Sequence, residues 1–262
     1  MDESKCRQHV TAIYTREFFL AAGECNAEKA MSLTMLVNRI IRVATEHANM
    51  LDVGYANLTP MGKGWVLSKL ALEMKRYPHV NEQYRIVTWI EGIDRFLCSR
   101  NFVIYDGAGC ELGHVRSLWV VIDFGTRMMC DITSLGDRML VPSAGDVPQC
   151  PIMKPTRIRL ATTNHMSTYV FKYCDVDFNR HVNTVRYIEA FMNCWPLEHY
   201  DNYMVSRFEI SFVKECLYGM EVNVRIDDTD KLDCNAEIES RGVTYCKARF
   251  LFKELKFHNE DY

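Results

Sequence analysis

Tyr173–Tyr187 reads Y-C-D-V-D-F-N-R-H-V-N-T-V-R-Y. Two acids, an imidazole and two amides fall within nine positions, Asp175 to Asn183. An amphipathic run starts directly afterwards. Val185, Ile188, Phe191 and Met192 share one helical face, Asn183 is placed to cap it, and Pro196 ends it. The chain therefore sets polar, proton-handling side chains on a loop that enters a helix. A helix N-terminus carries unpaired backbone N–H groups and a partial positive charge. A carbonyl oxygen that gains negative charge during a reaction is stabilised there. The stretch reads as a site for attack on an acyl carbonyl.

Working outward, the order of elements around this helix occurs twice. Strand-like segments follow it at Val205–Val213, Glu221–Asp227, Leu232–Glu239 and Val243–Lys253, with Arg241-Gly242 between the last two. Earlier, residues 27–51 carry a helical stripe of Leu33, Leu36, Val37, Ile40, Ile41 and Ala44, with Asn26 as the expected cap. Strand-like segments follow again at Val66–Met74, Tyr84–Ile93, Ser99–Tyr105 and Leu112–Phe124, with the turn pair Asp106-Gly107 before the last. Leu70, Leu72 and Met74 correspond to Phe208, Ile210 and Phe212. Each half reads as strand, helix, then several antiparallel strands. A helix of this kind buries its stripe on one face of the sheet. Two such units hide exposed edges by pairing their sheets edge to edge. The expectation is an α+β chain of two tandem units forming a pseudo-dimer: 1–133, a linker at 134–161, and 162–262. Four of the seven prolines lie within Ser134–Thr156, which suits an irregular connection.

Bulk properties narrow the function classes. A net charge of −3 argues against a general nucleic-acid binder. The eleven cysteines show no Cys-x-x-Cys spacing and the histidines no metal-ligand spacing, so the usual zinc and dithiol signals are absent. Apolar runs are too short to span a bilayer, and Met1–Lys5 lacks the basic-then-apolar pattern of a leader. The expectation is a cytoplasmic protein with reduced thiols and no membrane partner.

Asp175-x-Asp177-x-x-x-His181-Val182-Asn183, with Tyr187 four residues on, resembles the signature of hot-dog thioesterases. The Asn179-x-His181 variant, with Glu215-Cys216 downstream, resembles the fatty acyl-acyl carrier protein thioesterases. Tyr77-Pro78 and Trp119-Val120 fit the same family, so the likeness covers most of the chain. It implies two hot-dog units, with an acyl tunnel in the first and the active site in the second. It implies hydrolysis of a fatty acyl thioester on acyl carrier protein, with Asp177, Asn179, His181, Glu215 and Cys216 as the catalytic set; the same chemistry on acyl-coenzyme A and a non-catalytic acyl-binding module are the rival readings. No cofactor is implied. The partner is the carrier protein with its phosphopantetheine-linked chain. A monomer and a homodimer are equally compatible.

The residues themselves leave the mechanism open. His181 suits proton transfer near neutral pH. Asp177 orients it or positions a water, and Asn179 holds the water or the carbonyl. N–H groups near His181–Thr184 face the oxyanion. Two routes compete: Cys216 as a nucleophile activated by His181, or Glu215 or Asp177 activating water. The second is favoured, because a cysteine acyl-enzyme is itself a thioester and leaves the hydrolysis still to do. Strand parity poses a problem, since Cys216 shares parity with Phe208, Ile210 and Phe212. Only a bulge or strand end near Lys214 brings Glu215 into the site. Arg180, Arg186, Arg207 and Lys214 lie close enough in sequence to meet an acidic carrier protein.

Overall fold

The computed structural model describes residues 11–255, so Met1–Lys5 lies outside the described residues. The first half contains β1 (Ile13–Phe19), α1 (Leu33–Met50), α2 (Tyr55–Leu58), β2 (Lys63–Met74), β3 (Gln83–Ile93), β4 (Cys98–Asp106) and β5 (Glu111–Asp123). The second contains β6 (His165–Val170), α3 (Thr184–Met192), α4 (Leu197–Asn202), β7 (Tyr203–Phe212), β8 (Glu221–Asp227), β9 (Asp233–Ser240) and β10 (Val243–Glu254). All ten strands form one antiparallel sheet in the order β1-β3-β4-β5-β2-β7-β10-β9-β8-β6. The two halves meet at β2 and β7, edge to edge.

The register of that junction follows from the apolar pattern. Leu70 lies opposite Ile210 and Leu72 opposite Phe208, on either side of the Ala71–Glu209 pair. This arrangement is symmetric about Ala71–Glu209, as expected for equivalent strands of a pseudo-dimer. All four apolar side chains are buried on the face that carries α1 and α3, in one core shared by both halves. A slip of one residue would turn each of them to the other face. Tyr77 adds a buried cross-unit bond, its hydroxyl donating to the Val205 carbonyl (3.0 Å).

The opposite face of the junction is charged and strapped by the connection between the units. Glu209 is buried there and accepts from the backbone N–H (2.6 Å) and hydroxyl (2.8 Å) of Thr156. Arg207 donates to the Met153 carbonyl (3.3 Å), and Arg116 to that of Ile152 (3.1 Å). Arg207 also pairs with Glu73 and Glu209, and Arg116 with Glu91. Arg207 is thus committed to the sheet rather than to a docking surface. Between β5 and β6 the only regular piece is a 3-10 turn, Thr133–Leu135.

Two local expectations are corrected. Ser32, not Asn26, caps α1, its hydroxyl accepting from the Met35 N–H (3.1 Å). The turn after β4 is longer than an Asp-Gly hairpin. The Asp106 carboxylate gathers the N–H groups of Ala108 (3.0 Å) and Cys110 (2.8 Å), and the positive φ falls on Gly109 (+88°). At Arg241-Gly242 both residues have positive φ (51° and 76°), as a tight two-residue hairpin turn requires.

Phe208 is fully buried at the junction. Phe208→Ala is expected to destabilise the chain by about 3 to 5 kcal/mol. Calorimetry should still show one transition, because the two halves share a core. Two separate transitions, with only one shifted, would show that the halves unfold independently.

Candidate active site

The loop before α3 is built by backbone hydrogen bonds. The His181 carbonyl accepts from the Asp177 N–H (2.8 Å), and the Asp177 carbonyl accepts from that of Arg180 (3.0 Å). Arg180 takes a positive φ of 64° to close the turn. The Asp177 carboxylate accepts from the N–H groups of Asn179 (2.8 Å) and His181 (3.3 Å). Asn183 caps α3 by accepting from the Val185 N–H (3.2 Å). Asp175 is buried and knits the turn, accepting from the Lys172 N–H (2.7 Å) and the Tyr169 hydroxyl (3.1 Å).

The first half repeats the backbone bridge of this loop before α1 but not its chemistry. The Ala30 carbonyl accepts from the Asn26 N–H (2.8 Å), and Lys29 takes the positive φ (56°). The Asn26 side chain accepts from the Ala30 N–H (2.9 Å), as Asp177 does from that of His181. Asn26, Glu28 and Ala30 thus stand where the second half has Asp177, Asn179 and His181. Asn26 is a loop brace, which explains why it is not the cap.

The Glu215-Cys216 parity problem is resolved by where β7 ends. The strand stops at Phe212, and Val213 and Lys214 both donate N–H groups to the Tyr245 carbonyl (2.9 and 3.1 Å). This irregularity frees the next residues from strand alternation. The Cys216 carbonyl then accepts from the Val182 N–H (2.9 Å), which fastens the segment beside the His181 loop. Glu215 points to the loop, its Oε2 3.5 Å from His181 Nε2. Cys216 turns inward and is fully buried, its N–H donating to the Tyr187 hydroxyl (2.8 Å). Asp177, Asn179, His181 and Glu215 all line one cleft; Cys216 lies behind it.

Sequence reasoning missed Arg127. It lies beyond β5 in the first half, pairs with Glu215 and lines the same cleft. Its positive φ (61°) was the available signal only in three dimensions. Partial burial, then the Arg127 guanidinium, holds the His181 imidazole below its ordinary pKa, against the opposing pull of Asp177. His181 is thereby a neutral proton acceptor near pH 7. Burial pushes the Cys216 thiol up to about 11, despite the opposing hydrogen bond from Tyr187. Along His181–Thr184, the N–H groups of His181, Val182 and Asn183 are all taken. That of Thr184 has no partner among the described residues.

The cleft measures about 1540 Å³ and runs from this site into the first half. There it passes between the C-terminal part of α1 (Ile41, Ala44, Ala48) and β2 and β5 (Trp65, Leu67, Trp119). At the mouth, Phe178 stands 74% exposed with its ring edge-to-face against Tyr55 of α2 (centroids 5.4 Å apart). Of the four basic residues near the motif, Arg186 is held by Glu189 and Arg207 lies on the opposite face of the sheet. Arg180 and Lys214 are exposed.

Residues 11–135 match the family model of the acyl-ACP thioesterase N-terminal domain, and residues 159–254 match that of its C-terminal domain. The chain belongs to the acyl-ACP thioesterase family. An acyl-ACP thioesterase from Bacteroides thetaiotaomicron superposes with a TM-score of 0.84 at 30% identity, over 92% of this chain and 98% of that one. The 12:0-ACP thioesterase from Umbellularia californica shares the fold, with a TM-score of 0.80 at 19% identity over 94% and 95% of the two chains. A chloroplastic dodecanoyl-[acyl-carrier-protein] hydrolase of Cinnamomum camphora is 22% identical over 218 residues, 78% of this chain and 56% of its own length. The chain spans about half the length of such curated relatives. The two halves are thus tandem hot-dog units of this acyl-ACP thioesterase family member.

The burial of Cys216 is directly testable. Under brief iodoacetamide treatment in mildly alkaline solution, peptide mass spectrometry should find Cys110 and Cys174, both exposed, modified and Cys216 intact. Alkylation of Cys216 at the same rate would show a reachable thiolate.

Proposed function

We propose that the chain hydrolyses fatty acyl thioesters of acyl carrier protein, releasing free fatty acid and the holo-carrier protein. The observation that carries this reading is the single cleft joining the His181–Glu215 cluster to an apolar channel under α1. The cluster suits the thioester, and the channel suits an alkyl chain. The hydrolase and thioesterase names of the relatives agree with it. The first unit then supplies the acyl tunnel and the second the catalytic residues.

The mechanism follows the water route. His181, with the Glu215 carboxylate beside it, takes a proton from a water, which attacks the thioester carbonyl carbon. The Thr184 N–H, at the start of α3, receives the oxyanion. The intermediate collapses with loss of the phosphopantetheine thiolate, and His181 returns the proton to that sulfur. Asn179 holds the carbonyl or the water by its amide, and Asp177 fixes the loop that carries both. The buried, high-pKa Cys216 packs behind Glu215 and supports its position rather than attacking. Exposed Arg180 and Lys214 border the mouth, where an acidic carrier protein would dock.

Among the described residues no helix is long and apolar enough to cross a membrane. We take the compartment to be the cytoplasm, on the reading of the scattered cysteines as reduced thiols.

The test is thiol release from matched acyl-acyl carrier protein and acyl-coenzyme A substrates. Faster turnover of the carrier-protein thioesters is expected, with losses on the order of a hundredfold or more for His181→Ala and Glu215→Gln. Wild-type rates in both variants would sink the site assignment. The pH profile tests Arg127 separately. Activity should fall on the acid side as His181 becomes protonated. Arg127→Gln removes a cation that depresses the His181 pKa, so that acid limb should move to higher pH. An unmoved limb would detach Arg127 from His181.

A further inference from the structure

The walls of the cleft are of two kinds. Beneath α1 they are closed, and Ala44 and Leu67 are buried there. Around the His181 loop they are open. Tyr55, Met129, Phe178 and Val213 all line the cleft, yet each is more than half exposed. Three of them stand next to polar groups of the site. Phe178 lies between Asp177 and Asn179, Val213 precedes Lys214-Glu215, and Met129 follows Arg127 by two residues. The fourth, Tyr55, comes from the first unit and meets Phe178 edge-to-face, with centroids 5.4 Å apart. The backbone beneath both rings is fixed. The Asp177 carboxylate holds the turn that carries Phe178 through the N–H groups of Asn179 and His181. The Gly54 carbonyl accepts from the Asn57 (3.2 Å) and Leu58 (3.1 Å) N–H groups at the start of α2, and Leu58 is buried. The pair therefore joins the two units at an apolar, water-facing part of the cleft.

Single exposed apolar residues are ordinary on a protein surface, but several that converge on one cleft mark a surface that a ligand covers. A thioester has two limbs that leave the reacting carbonyl. The closed channel suits the alkyl limb. The thiol limb must reach solvent, so it leaves through the open part. In a carrier-linked substrate this limb is the pantetheine arm, made of two amides, short methylene stretches and a pantoyl unit with two methyl groups. Its methyls and methylenes match aromatic rings, while its amides keep their hydrogen bonds to water. We infer that Phe178 and Tyr55 form the subsite for the pantetheine arm, gripping the portion beyond its first amide. They are specificity-determining residues that recognise the thiol limb rather than the acyl chain. Phe178 is carried on the same turn as Asn179 and His181, so an arm seated on it holds the thioester in register with those groups. The inference deepens the acyl-thioesterase reading and rests on it for the position of the reacting carbonyl.

Two thioesters of one acyl chain separate the limbs. Acyl-pantetheine carries the whole arm, and acyl-N-acetylcysteamine stops after the first amide. With the full chain, kcat/KM is expected to be on the order of tenfold higher or more for acyl-pantetheine. Phe178→Ala and Tyr55→Ala should each remove most of that advantage, chiefly by raising KM. Phe178→Tyr, which keeps the ring, should retain it. Acyl-acyl carrier protein and acyl-coenzyme A both carry the arm, so both should lose rate in Phe178→Ala. The faster of the two in the wild-type chain identifies the bearer of the arm. Equal kcat/KM for the two small thioesters in the wild-type chain overturns the inference and leaves the thioesterase reading standing. An equal loss on both in Phe178→Ala also overturns it, because the ring would then be a brace of the His181 loop. So does a loss that follows acyl length instead of the arm. Absence of hydrolysis of every thioester removes the thioesterase reading together with the inference.

Discussion

The pairing of β2 with β7 is the constraint on which the rest depends. It joins two five-stranded halves into one sheet, so that α1 and α3 share a face and a core. It also decides where the groups proposed as catalytic meet. Glu215 follows directly from β7, while Arg127 leaves the end of β5, the strand beside β2. Their ion pair bridges the units. The cleft crosses the same junction, from α3 and β7 into the space beneath α1. A single unit would hold half of the site and little of the channel.

Duplication accounts for a proposed site in one half only. Both loops share the bridging hydrogen bonds, the residue with positive φ and the capped helix. That geometry is a backbone property and tolerates Asn26, Glu28 and Ala30 as readily as Asp177, Asn179 and His181. On the proposed reading the first unit is relieved of chemistry and leaves open the space beneath its helix. The pseudo-symmetric scaffold therefore divides labour by side chain alone.

The charged groups carry two different kinds of work. Arg207, Glu209 and Thr156 bind the inter-unit connection across the outer face of the junction. Arg127 and Arg100 instead line the cleft on the other face. The first is matched by Glu215, and the second has only neutral partners. That difference separates a cation held in an ion pair from one with hydrogen-bonding capacity to spare.

By itself the sequence determined the architecture. The apolar stripes of residues 33–44 and 185–191 and the alternating runs after them are local patterns, and local patterns specify helices, strands and the faces they bury. They also placed the Asp177–Asn183 motif at a helix start. The edge strands β1 and β6 were implied but not located, because neither buries a residue fully. The cap of α1 was misplaced, since Asn26 and Ser32 both suit caps and only the bridged loop distinguishes them. Tertiary structure alone decided the rest. The strand end at Phe212 reversed the parity that would have turned Glu215 outward. Burial beneath Tyr187 took Cys216 away from the cleft. Arg127 and Arg100, far from the motif in sequence, reached the cleft only because a non-local sheet brought β5 and β4 beside it. Such contacts come from strand pairing across long stretches of chain, and no local spacing encodes them.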